Sequence, residues 1–294
     1  MQTVHTTLTG ILHQQLDGFS GPFSTWIIHV PSRTMFDAGE GISTWLRSRV
    51  FLPDTIFLSH AHYDHVGGLP GFLASRLTMR GDRMKRLRIY YPAEAECQLE
   101  PIRQMCRQIA SDACELTTWT GLHEGDRINV RNWTVECFRA YHGVPSLGYR
   151  ILENRNRLKS QFRQLHSAQI KELRLQGIEI TEEYEHNVFA ITGDTGPGIA
   201  PMLLEDVDVL LHECTFLDGE ERVGNHHSTM TEAFDFACKC NAKSLVLYHF
   251  SQRNGLDQIV EKARELAAEH RYAGTVYAIT GFLRPTTSAY DESR

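Results

Sequence analysis

Short apolar runs alternate with amphipathic stretches along the whole chain, and the two patterns predict different elements. Compact runs rich in β-branched and aromatic residues predict strands over 25–30, 34–37, 55–59, 87–91, 133–140, 147–152, 188–192, 207–211, 244–248 and 275–279. Helical spacing predicts helices over 42–49, 66–79, 93–111, 167–176, 229–241 and 256–270. The last of these opens at Gly255 and repeats Leu256, Ile259, Val260, Ala263, Leu266 and Ala267 along one face. Strands occur in both halves of the chain and helices follow each half. A layered α/β protein with two internal sheets and helices outside satisfies that order. No segment repeats, none is low in complexity, and no Pro/Gly/Ser linker divides the chain. One continuous domain over 1–294 is therefore expected.

Residues 150–187 depart from the alternation. They are polar and charged, with Arg150, Arg155, Arg157, Lys159, Arg163, Lys171 and Arg174 in the first part. A partly helical insertion between two core strands is expected there, as either a solvated excursion or a substrate-contacting arm.

Composition changes the picture in three respects. With 294 residues and 41% hydrophobic content the chain can bury one large core. Its formal charge of −6 excludes a globally basic nucleic-acid binder but not a local patch. Such a patch is present: Arg76, Arg80, Arg83, Lys85, Arg86 and Arg88 face one acid, Asp82, and Tyr90 and Tyr91 follow. Arg83, Lys85 and Arg86 are candidate contacts to an RNA backbone, and a solvated helix face is the alternative. The seven Cys are scattered and odd in number, so no disulfide framework is expected; Cys238 and Cys240 read as buried thiols. Met1 to Gly10 lack the features of a signal peptide and no apolar run approaches a membrane span. A reducing cytoplasm is the expected location.

The strongest chemical signal follows the strand at 55–59. His60, His62, Asp64 and His65 crowd into the sequence Ser59-His-Ala-His-Tyr-Asp-His65. Imidazole and carboxylate groups suit zinc and similar divalent ions. Four such groups are too many for one ion that must keep an open position, so they read as parts of two neighbouring metal sites, a known device for hydrolysis. Other strands run into ligand-type residues as well: His142, Asp194 within a Gly-rich turn, His212-Glu213 and His249. The run at 193–198 lacks the Gly-Lys-Ser/Thr ending of a phosphate loop; its glycines fit a sharp turn that holds Asp194, whose two oxygens can bridge two cations. Ahead of the helix at 229, Ser228 or Thr229 can cap, and one of His226 and His227 can reach the site as a proton donor.

These pieces resemble the metallo-β-lactamase-fold hydrolases through H-x-H-x-D-H. More narrowly, they resemble the ribonuclease Z family of tRNA 3′-end endonucleases. The narrower likeness rests on Phe36-Asp37-Ala38-Gly39, Val66-Gly67-Gly68-Leu69-Pro70-Gly71, His142 with Ser146-Leu147-Gly148-Tyr149, and Gly193-Asp194-Thr195-Gly196-Pro197. It continues through His212-Glu213-Cys214-Thr215-Phe216, His227-Ser228-Thr229 and His249-Phe250-Ser251-x-Arg253. The resemblance implies a four-layer αβ/βα sandwich and a homodimer. It implies two zinc ions, with manganese or iron as substitutes. His60, His62 and His142 would hold one ion, Asp64, His65 and His249 the other, with Asp194 bridging. A hydroxide supplied by the metals would attack phosphorus, oriented or deprotonated by Asp64. His227, oriented by Glu213, would protonate the leaving oxygen, and Asp37 would bond a ligand histidine. The implied substrate is precursor tRNA. The chain departs from the family at Tyr63, where Gly is usual, in the absent Gly-Thr-Gly turn, and at 150–187, where no Gly/Pro-rich arm is recognisable. The alternatives are a same-fold hydrolase of a small phosphodiester or lactone, and a non-catalytic metal- or RNA-binding module.

Overall fold

The computed structural model describes residues 3–79, 85–220, 222 and 224–284, and within them the strands form two sheets. Numbered in chain order, one sheet runs β2 (Leu16–Gly21), β3 (Ser24–His29), β4 (Thr34–Phe36), β5 (Thr55–Phe57), β6 (Leu87–Pro92) and β7 (Thr117–Leu122). The other runs β1 (Val4–His5), β14 (Thr275–Ala278), β13 (Ser244–Tyr248), β12 (Leu210–Glu213), β11 (Thr181–Ile191), β10 (Leu147–Leu158), β9 (Trp133–Arg139) and β8 (Arg127–Val130).

Period-two alternation sorts the central strands' side chains between two apolar layers. Ile27, Phe36, Phe57 and Tyr90 from the first sheet meet Tyr149, Phe189, Leu211, Val246 and Tyr248 from the second. Their neighbours Ile28, Met35, Ile56, Leu58 and Ile89 turn the other way, onto the helices Ile42–Leu46, Leu69–Thr78 and Glu96–Ile109. Ala190, Leu210, Leu245 and Leu247 do the same toward Met230–Lys239 and Leu256–Glu269. Strands covered on both faces read as continuous apolar runs, which is why these were visible in the sequence. Each large side chain so buried contributes roughly 1.5–3 kcal/mol. The result is the expected four-layer αβ/βα sandwich.

Sequence pattern missed the elements that lack such a run. β1 has two residues, β2 contains Asp17, Gly18 and Gly21, and β7 reads Thr-Thr-Trp-Thr-Gly-Leu at a sheet edge. The helix after Thr229 begins where a capping box predicts: Thr229 Oγ1 accepts from the Glu232 amide at 3.2 Å and Glu232 Oε2 from the Thr229 amide at 2.9 Å.

The boundaries of the charged segment need correction. β10 and β11 stay paired from Tyr149↔Ile191 out to Leu158↔Thr181, so most of 150–187 prolongs two core strands as a ribbon. Only the tip leaves the sheet, with a helix at Ser167–Leu175. Beyond the core both faces of the ribbon meet water, so no apolar alternation marks it. Charge pairing across the strands marks it instead, as in Arg157 Nε to Glu182 at 2.8 Å. Arg150 belongs to the core and pairs with Glu136 at 2.6 Å.

The basic strip is also corrected. Arg76 is 3% exposed and donates to the carbonyls of Val50, Pro53 and Lys85, a structural role. Arg83 lies outside the described residues. Lys85 and Arg86 are exposed, but they precede β6, whose Arg88 pairs in parallel with Thr55 and whose Tyr90 pairs with Phe57. The histidine cluster follows the far end of β5, so Lys85 and Arg86 sit at the opposite end of the sheet from it. Any RNA binding by the chain is expected to keep its salt dependence in a Lys85→Gln, Arg86→Gln double variant. A slope reduced by about 1.5 would restore the strip as a binding surface.

All seven cysteines are free, as expected, but Cys238 is exposed while Cys240 is buried. Buried His29 titrates in a distinctive range. Its Nδ1 lies 2.7 Å from Ser32 Oγ, its ring packs on Trp133 and Phe189, and burial lowers its pKa to about 4. The unfolded chain therefore binds a proton at this site before the folded one does. Stability from this group is complete above pH ~6.5 and is lost as pH falls toward 4. His29→Phe is expected to reduce the loss of unfolding free energy between pH 7 and 4.5 by about 2.5 kcal/mol, measured by urea denaturation. An unchanged loss would show that His29 does not carry this pH dependence.

Candidate metal centre

The C-terminal ends of β4, β5, β11, β12 and β13, with the loop after β9, meet at one edge of the sandwich. Open α/β sheets assemble sites at such edges. Two bonds lock the sheets together there: the Leu147 amide donates to Ser59 O at 2.9 Å, and Tyr149 Oη donates to Leu58 O at 2.6 Å.

Asp37, in a left-handed conformation just after β4, organises the first loop. Its Oδ1 accepts from the Ser59 amide at 2.6 Å, and its Oδ2 from Ser59 Oγ at 2.9 Å and His65 Nδ1 at 2.8 Å. A carboxylate behind Nδ1 leaves Nε2 of His65 as the free ligand atom. Ser59 Oγ also lies 2.9 Å from His60 Nδ1. His142 donates Nδ1 to the carbonyl of His226 at 2.8 Å, and His249 has Nδ1 3.0 Å from Thr215 Oγ1. In each case the remote nitrogen is engaged and the other faces the centre.

The central atoms fall into two groups. One ligand atom from each of His60, His62 and His142 lies within 4.8 Å of the others, and the same holds for Asp64, His65 and His249. Asp194 stands between: Oδ2 is 3.7 Å from His60 Nε2 and 3.4 Å from His249 Nε2, while Oδ1 is 3.5 Å from His65 Nε2. Asp194 Oδ1 and His65 Nε2 are buried with no hydrogen-bond partner. Such orphaned atoms cost roughly 1–3 kcal/mol each. Converging nitrogen and oxygen donors of this kind fit a divalent cation of zinc type.

The electrostatics show how strongly these groups depend on one another. Burial pushes the pKa of His60 well down, helped by His65. Burial acts the same way on His65, but Asp194 and Asp37 outweigh it and raise the pKa. Burial opposes the charge of Asp194 and Asp64. It is overcome at Asp194 by the charges of His249 and His65, and at Asp64 by the hydrogen bond of His249 and the proximity of His65, so both carboxyls stay well below the usual range.

Beside the cluster, His227 Nδ1 lies 3.0 Å from Glu213 Oε1. Glu213 is fully buried and saturated. It also accepts from the amides of Thr195, Ser228 and Thr215 at 3.1, 3.0 and 2.9 Å, and from Thr215 Oγ1 at 3.0 Å. Burial opposes protonation of His227, but the bond and charge of Glu213 outweigh it and raise its pKa.

Every candidate ligand, together with Asp37, Glu213 and His227, thus comes to one place. His212 does not: it is buried against Phe236. His226 contributes only its carbonyl to the ligand geometry. Sequence reading gave no role to Ser59 or Thr215, whose hydroxyls tie Asp37 to His60 and Glu213 to His249; Ser and Thr are too common at strand ends to signal this. Tyr63, which stands where Gly is usual, has its ring where a side chain on residue 67 would stand, so Gly67 makes room for it.

The model described as the beta-lactamase superfamily domain matches residues 33–250, and the chain belongs to that superfamily, with its metallo-β-lactamase fold. Within it, tRNase Z TRZ1 of Arabidopsis thaliana is 30% identical over 279 residues, covering 90% of this chain and 94% of that protein. Ribonuclease Z of Staphylococcus aureus is 28% identical over 251 residues, covering 77% and 81%. The crystal structure of the human tRNase Z short form shares the fold, with a TM-score of 0.56, 22% identity, and coverage of 81% and 93%. The chain is a metal-dependent hydrolase of ribonuclease Z type. Among the described residues no helix is long and apolar enough to cross a membrane.

Proposed function

We propose that this chain is a two-metal phosphodiesterase that cleaves precursor tRNA at its 3′ end. The observation carrying this reading is the pair of facing ligand groups, His60/His62/His142 and Asp64/His65/His249, with Asp194 between them. Two zinc ions suit this donor set, and manganese or iron can replace them. When bound, such a pair supplies a nucleophile at neutral pH and neutralises charge building on the phosphoryl oxygens. Asp64, 3.3 Å from His65 and 3.4 Å from His249, orients or deprotonates the attacking group. His227, held by Glu213 through Nδ1, delivers a proton from Nε2 to the leaving oxygen. The names of the Arabidopsis and Staphylococcus relatives support tRNA as the substrate. A cytoplasmic homodimer belongs to the same reading, and sedimentation of the purified chain tests the dimer.

The deciding experiment sets a 3′-extended tRNA precursor beside bis(p-nitrophenyl) phosphate, with zinc-loaded protein. Cutting after the discriminator base is the expected result. Cleavage of the small ester alone would move the function to a small phosphodiester. Cleavage of neither would leave a binding module.

A further inference from the structure

A groove of about 400 Å³ opens beside the cluster, with Asp64, Thr215 and His249 on one wall and Gly21-Pro22-Phe23 and Phe250-Ser251-Gln252-Arg253 around the rest. Phe23 is 69% exposed and lines this groove. It is also firmly placed. Gly21 pairs with Ser24, so Pro22 and Phe23 form a two-residue hairpin turn between β2 and β3. That hairpin is held at two points: Ser20 Oγ accepts from the amide of His249 in the centre at 3.0 Å, and Ser24 Oγ donates to Glu40 O in the loop after β4 at 2.7 Å. The aromatic ring is thus presented on a rigid tip rather than a loose loop. Across the groove Arg253 is exposed, and among the described residues no carboxylate pairs with its guanidinium.

We propose that this groove is a nucleotide subsite, in which Phe23 stacks a base flanking the scissile phosphodiester and Arg253 takes the neighbouring phosphate. The inference rests on the phosphodiesterase reading above and adds what recognises the strand. A π-face accepts any base, so the subsite holds single-stranded nucleic acid with little sequence preference. The exposed Arg253 guanidinium gives that strand a cation which the acidic chain as a whole does not.

The test is fluorescence anisotropy of zinc-loaded protein with a labelled phosphorothioate tetranucleotide that resists cleavage, against its abasic analogue. Wild type is expected to bind the base-bearing strand about tenfold tighter. Phe23→Ala should lose most of that preference, and Phe23→Tyr should restore it. Arg253→Gln should lower the salt slope of binding by about 0.7. A full base preference in Phe23→Ala overturns the stacking role, and an unchanged slope in Arg253→Gln overturns the phosphate role. Hydrolysis of bis(p-nitrophenyl) phosphate by the same wild-type preparation separates the two readings. Hydrolysis without base preference rejects the subsite alone, and base preference without hydrolysis rejects the phosphodiesterase.

Discussion

Asp194→Ala is expected to lower hydrolysis of bis(p-nitrophenyl) phosphate by about 10³-fold or more and to reduce bound zinc, read by metal analysis of the dialysed protein. The size of the effect follows from position. Asp194 is the carboxylate within 4 Å of His60, His65 and His249 together, and so reaches both ligand groups. Its charge is the leading influence that overcomes burial at His65 and His249. Without it, the imidazoles and any bound cation would face one another with Asp64 as the remaining carboxylate among the candidate ligands, and metal stabilisation worth several kcal/mol is lost. Asp194→Asn keeps the shape without the charge and should fail nearly as badly. Near-UV circular dichroism matching wild type would show that the fold survives. Full zinc content with full activity would reject Asp194 as a bridge.

His227→Ala is expected to leave zinc content unchanged while slowing turnover by about 10²–10⁴-fold on RNA, where the leaving oxygen is a poor one. On bis(p-nitrophenyl) phosphate the loss should be small, because p-nitrophenolate departs without a proton. This split between substrates is what a proton donor predicts and a merely structural residue does not. Glu213→Gln should show a weaker form of the same split, since Glu213 orients the ring through Nδ1. The substitution also disturbs the Thr195, Thr215 and Ser228 amides, so its stability should fall more than that of His227→Ala. Equal losses on both substrates would remove His227 from proton transfer.

Local order in the chain determined much of this protein. Strands buried on both faces, such as β5 and β13, announced themselves as apolar runs, and the cluster at 60–65 carries four candidate ligands within a few residues because one turn after one strand delivers them. The capping box at Thr229 was equally local. Only the tertiary structure decided which strand ends meet. His142, Asp194 and His249 reach His60 and Asp64 because parallel strands of two sheets end at a common edge, a long-range fact that no window of sequence contains. The same geometry removed His212, which faces the helix side of its strand, and sent Lys85 and Arg86 to the far end of β6. It also turned much of the charged segment into a two-stranded ribbon. There the pairing partners lie across the hairpin rather than along the chain, so periodicity has nothing to report. Ser59 and Thr215 acquire their roles in the same way: a hydroxyl is informative only when the carboxylates and imidazoles it joins have been brought around it by folding.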